Sequence, residues 1–155
     1  MIENDLVFLG EEESEIQEMN AEADLLYSKL YDVIEEAGGW VYRLKGEGEG
    51  QGYSYGDGLM SVDPTLSPVQ RFRVLVHERA HDLLQHAKKP TRDQPLEETQ
   101  ADFIASVVCG NYGMDVSEDS AHYVVGYKGT LKLVRENRDL ILNTAVQIIN
   151  EIDAV

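Results

Sequence analysis

Residues 67 to 87 read Ser67-Pro68-Val69-Gln70-Arg71-Phe72-Arg73-Val74-Leu75-Val76-His77-Glu78-Arg79-Ala80-His81-Asp82-Leu83-Leu84-Gln85-His86-Ala87, and this stretch decides the fold. Ser67 offers an N-cap hydroxyl, Pro68 takes a first-turn position where a missing N–H costs nothing, and Gln70 completes a capping box. The spacing predicts a helix from Pro68 to about Ala87. His77 and His81, four residues apart, lie about 40° from each other on one face. Arg79 lies on the opposite side with Phe72, Leu75 and Leu83, which is the side expected to face the core. A buried arginine needs an acidic partner, expected here from the acidic N-terminal helix. His86, at about 180° from the two histidines, is expected to pack or to close the helix end.

Within that helix, His77-Glu78-Arg79-Ala80-His81 has the pattern H-E-x-x-H. Its spacing lets one nitrogen from each imidazole reach a single zinc ion at about 2.0 to 2.1 Å. Glu78, about 100° round the same helix, can take a proton from a water that zinc has acidified toward a pKa of about 7. The reaction class implied is hydrolysis of a carbonyl compound. A third ligand is available in Glu98-Thr99-Gln100-Ala101-Asp102. With Glu98, two histidines and a carboxylate would leave the fourth zinc position open, as a catalytic site requires. Glu97 is the rival, since adjacent carboxylates point about 100° apart and only one can face the metal. Asp102, one turn after Glu98, can accept the far ring N–H of a ligand histidine.

Upstream, Gly52-Tyr53-Ser54-Tyr55 and Leu59-Met60-Ser61-Val62-Asp63 are expected to pair as a hairpin around Gly56-Asp57-Gly58. Trp40 to Lys45 alternates as a strand, giving a small antiparallel sheet. Before it, residues 12–37 carry Ile16, Met19, Ala23, Leu26, Leu30, Val33, Ile34 and Ala37 at helical spacing, ended by Gly38-Gly39. Downstream, a third helix is expected over residues 96–112, a short one over 117–125, and a last one over 130–152. In the last, Leu131, Val134, Ile141, Ala145, Ile148, Ile149 and Ile152 form the apolar face. Cys109 lies too far along its helix to reach the metal and is read as core. Tyr53, Tyr55, His122 and Tyr123 are candidates to stabilise an oxyanion.

A chain of 155 residues, 43% hydrophobic, holds one ordinary core, so residues 1–155 are expected to form a single domain. Thirteen basic against twenty-nine acidic residues give a net charge of −16, which opposes direct binding to nucleic acid and to anionic membranes. The charge is uneven. Residues 1–36 hold twelve acids and one base, whereas residues 71–92 hold six bases and two acids. One cysteine cannot form an internal disulfide, no secretory leader pattern opens the chain, and no apolar run approaches membrane-spanning length, so the expected compartment is the reducing cytoplasm.

The ordered set is more specific than the zinc motif alone. It runs from Gly52-Tyr53 through Met60-Ser61-Val62-Asp63-Pro64 to the H-E-x-x-H helix. It continues with Glu98-x-x-Ala101-Asp102, Val107-Val108-Cys109, Ser120-x-x-Tyr123 and Tyr127. Over residues 52–127 it resembles the ImmA/IrrE-like zincin peptidases, and within them the metallopeptidase domain of ArdC-type antirestriction proteins. The resemblance implies an α+β, zincin-like fold with one zinc ion on His77, His81 and Glu98, and Glu78 catalytic. It also implies a substrate cleft lined by the strand before the metal helix. Relatives cleave repressors or stress regulators, or protect incoming DNA, so the expected substrate is a protein or peptide, in particular a regulatory protein. Arg79 departs from the family pattern, which has a hydrophobic residue there. A non-catalytic, metal-stabilised acidic binding module that engages a basic partner or mimics DNA is the alternative, and a zinc hydrolase of small amides a third.

Overall fold

The computed structural model describes residues 2–44, 50–114 and 130–155, and their side chains apart from those of residues 2–9, 11 and 130. The fold is α+β: among these residues are five α-helices and a three-stranded sheet. No described helix is long and apolar enough to cross a membrane.

Helix α1 spans Ile2–Glu36 and so begins well before the position expected from its apolar stripe. Ala23, Leu26, Leu30 and Ile34 are buried at helical intervals, but Ile16 is 60% exposed, so core contact starts near Met19. The helix ends as its glycines predict. Gly38 adopts φ +87°, and the Gly39 N–H bonds back to the Ile34 carbonyl at 2.8 Å.

Strand β1, Trp40–Tyr42, follows, and β2, Gly52–Gly56, with β3, Leu59–Val62, makes the expected hairpin. The sheet order is β1-β3-β2, with β2 antiparallel to β3. The sheet is not wholly antiparallel, however, because β1 pairs with β3 in parallel, Val41 opposite Met60. The hairpin return puts β2 on one edge of β3, and α1 delivers β1 to the other edge, running the same way as β3. Val41, Met60 and Val62 are thereby buried on the face toward the helices.

Helix α2, Pro68–Leu83, is the centre of the molecule: ten consecutive residues, Phe72 to His81, are buried. A helix buried all round must be enclosed on every side, and α2 packs on α1, the sheet, α3 (Gln94–Asn111) and α5 (Arg138–Asp153). The capping box forms as read: the Gln70 N–H donates to Ser67 Oγ at 3.3 Å, and the Ser67 N–H to Gln70 Oε1 at 3.4 Å. The helix stops four residues short of the expected Ala87. Gln85 enters the left-handed region at φ +54°, and a 3-10 turn follows at His86–Lys88.

Helix α3 is capped by Asp93, whose carboxylate accepts the Leu96 N–H at 3.2 Å. The single helix expected from Thr130 to Ile152 is two, α4 (Thr130–Glu136) and α5, interrupted at Asn137. The Asn137 side chain donates to the Leu133 carbonyl at 2.8 Å, local competition with the helical backbone of the kind asparagine makes. Ile141, Ala145, Ile148 and Ile152 are buried as expected, whereas Leu131 is 62% exposed. The short helix expected over residues 117–125 lies outside the described residues, as do Ser120, His122, Tyr123 and Tyr127.

Candidate metal centre

Helix α2 presents His77 and His81, one turn apart, toward the first turns of α3, which carries Glu98. Ligand-capable atoms of the three residues all lie within 4.8 Å of one another, and together they can hold a metal ion. His77 Nε2 is 3.1 Å from Glu98 Oε2, and His81 Nε2 is 3.1 Å from Glu98 Oε1. The two Nε2 atoms are also 3.1 Å apart. Ligands bound to one tetrahedral ion at about 2.0 to 2.1 Å sit about 3.3 Å from each other, so the spacing of the two Nε2 atoms, with one Glu98 oxygen against each, is close to what such an ion requires.

Glu97 is outside the ligand group: it is buried at the wall of the same cavity, where it receives the Arg92 Nε–H at 2.6 Å. Successive residues on a helix point about 100° apart, so the Glu97–Arg92 pair directs Glu98 toward the histidines.

The electrostatics follow from burial and crowding. Burial pulls the His77 imidazole down, but the Glu98 hydrogen bond and the charges of Glu78, Glu98 and Asp102 outweigh it and hold His77 above the usual histidine value. Burial would raise Glu98, yet hydrogen bonds with His77 and His81 hold its carboxyl well below the usual range. Glu78 shifts the other way. It is 6% exposed, and burial keeps its carboxyl above the ordinary value despite the opposing pull of His77 and His81.

Glu78 faces a cavity of about 350 Å³ that His77, His81 and Glu98 share with strand β2. Gly52 is required at that wall. A Cβ there would stand 2.6 Å from Val74 Cγ1, 2.7 Å from the Ser61 carbonyl oxygen and 3.3 Å from Glu78 Cγ. Tyr53 lines the cavity and is 59% exposed; Tyr55, 51% exposed, turns its hydroxyl to Ser61 at 3.5 Å.

Three expectations require correction. Asp102 is fully buried near His77, but its Oδ1 is 4.0 Å from His77 Nδ1, beyond hydrogen-bond reach, and its carboxylate is gripped by the Arg73 guanidinium. Arg79 is buried and paired as argued, but its acid is Glu151 of α5 at 3.1 Å, with Asp82 at 3.4 Å, and not a residue of α1. His86 is not opposite the motif. Because α2 ends early, the reversal at Gln85 folds His86 back until its Nδ1 lies 2.7 Å from His81 Nδ1. Arg73 and His86 were the residues that sequence reasoning missed. Arg73 had a signal, being four residues before His77 on the same face, whereas His86 had none without the left-handed turn.

No family model and no solved structure matches the chain. It is similar to an uncharacterized protein of Bacillus anthracis, 34% identical over 84 residues. That match covers 52% of this chain and 14% of the Bacillus protein, so the chain spans only a small part of that relative's length.

Proposed function

We propose that the chain is a zinc-dependent metallopeptidase of the zincin type, acting on an extended segment of a specific regulatory protein. One observation carries the proposal: His77, His81 and Glu98 converge beside a buried Glu78, in a cavity walled by β2. The resemblance to ImmA/IrrE-like peptidases and ArdC-type metallopeptidase domains points the same way.

Bound on His77, His81 and Glu98, a zinc ion would polarise a scissile carbonyl and acidify water at the site. Glu78 takes the proton of the attacking water and returns it to the leaving nitrogen. Its burial suits that two-way transfer, because a carboxylate held above its ordinary range is a stronger base. Among the described residues β2 has a strand partner on one side only, so its outer edge can hydrogen-bond an extended peptide. Gly52 lets that backbone lie against α2.

The test is to offer zinc-loaded native protein and Glu78→Gln a peptide library from a cell extract and detect new termini by mass spectrometry. Native protein should generate them, and Glu78→Gln should bind equal zinc while cutting about 10² to 10⁴-fold more slowly. Identical cleavage by both would remove Glu78 as the base. A second reading, a metal-stabilised acidic binding module, is favoured by the exposed stretch of α1 holding Glu12, Glu13, Glu15 and Glu18. It predicts no new termini from either protein although both bind zinc.

A further inference from the structure

We infer that His86 is a positioning residue that holds a proton on His81 Nδ1, so that Nε2, the nitrogen facing Glu98 and His77, is the one reserved for a metal. The inference rests on a run of hydrogen bonds whose direction is set at its far end. The Leu133 carbonyl can only accept, so the group facing it at 2.8 Å is the Asn137 Nδ2 amide, donating. Asn137 Oδ1 therefore faces Gln100, whose Nε2 donates to it at 3.0 Å. Gln100 is then committed to turning Oε1 toward His86 Nε2, 2.8 Å away, and that nitrogen must carry a hydrogen.

His86 is 1% exposed and has no carboxylate hydrogen-bonded to either nitrogen, so its neutral form is the one that fits. A neutral imidazole protonated at Nε2 has a lone pair at Nδ1. That lone pair lies 2.7 Å from His81 Nδ1, which must donate to it. Reversing either amide would set oxygen against oxygen at Leu133 or at the Gln100–Asn137 contact. One backbone carbonyl of α4 thus determines, through three side chains, which nitrogen of His81 is available to a metal. His77 has no such support: its Nδ1 is buried without a hydrogen bond. The two histidines are unequally prepared, and His81 is the ligand whose tautomer is set in advance.

This consequence for metal binding rests on the proposed metal centre, but the tautomer itself can be read without metal. The experiment uses the full chain, metal-free and labelled with 15N-histidine, with long-range 1H–15N correlations that distinguish the two ring nitrogens. Native protein should show His81 protonated at Nδ1 and His86 at Nε2. His86→Leu should shift His81 to a mixture of tautomers. His86→Asn, whose Oδ1 takes the place of Nδ1, should restore the native form. Zinc affinity, measured by competition with a chromophoric chelator, should fall about 10- to 100-fold in His86→Leu and recover in His86→Asn. Native His81 lacking a proton on Nδ1, or a His86→Leu protein with an unchanged His81 tautomer, would overturn the inference. The expected tautomers in a chain that takes up no zinc would sink the metal centre and leave the control of His81 by His86 standing.

Discussion

At the scale of single residues, the centre is a crowd of charges held together by a few specific partners. Asp102 is fully buried, and the Arg73 guanidinium is what makes that burial tolerable. Removing one member of a buried pair leaves an uncompensated charge, at a typical cost of about 3 to 5 kcal/mol, whereas replacing both with apolar groups is often close to neutral. Arg73→Met should therefore be strongly destabilised in urea melts, and Arg73→Met combined with Asp102→Leu should regain most of the loss. A double variant no more stable than the single would mean that Asp102 is needed for more than its pairing. His77, Glu78 and His81 were legible in the sequence because spacing along a helix converts directly to direction in space, whereas Glu98 stood beside its rival Glu97 until the fold brought it to the histidines. The partner of Arg73 was not legible, because an aspartate one turn past Glu98 looks equally suited to either neighbour until distances are known.

At the scale of elements, the start of α2 is written in local chemistry and its end is not. Ser67, Pro68 and Gln70 form their capping box within four residues, so no tertiary contact is needed to specify it. Ser67→Ala should lower stability by about 1 kcal/mol, read as a shifted urea midpoint with unchanged slope. A changed slope would show that the cap governs more than one helix end. The C-terminal end depends on Gln85 adopting φ +54°, a conformation glutamine does not favour and the surrounding packing supplies. That turn brings His86 to His81. The break at Asn137 is of the same kind, since the side chain that interrupts the helix also reaches Gln100 across to α3.

For the whole molecule, the metal would join α2 to α3 and couple binding to folding. Zinc at about a thousand times its dissociation constant should stabilise the chain by about 4 kcal/mol, seen as a raised melting temperature that a chelator abolishes. A melting temperature indifferent to both zinc and chelator would mean that His77, His81 and Glu98 hold no ion. The Arg79–Glu151 pair ties the same central helix to α5, so α5 supports α2 from behind.

The features readable from the chain alone were local or periodic: the amphipathic helices, the hairpin, the capping box, and the histidine pair with its neighbouring glutamate. Each depends on residues within a few positions of one another, where backbone geometry dictates direction. Tertiary structure alone decided which edge of β3 received β1, where α2 stopped, which acid met Arg79, and that His86 stands behind His81. Those outcomes depend on contacts between segments far apart in the chain. There the free energy of packing selects among partners that local propensity leaves equivalent.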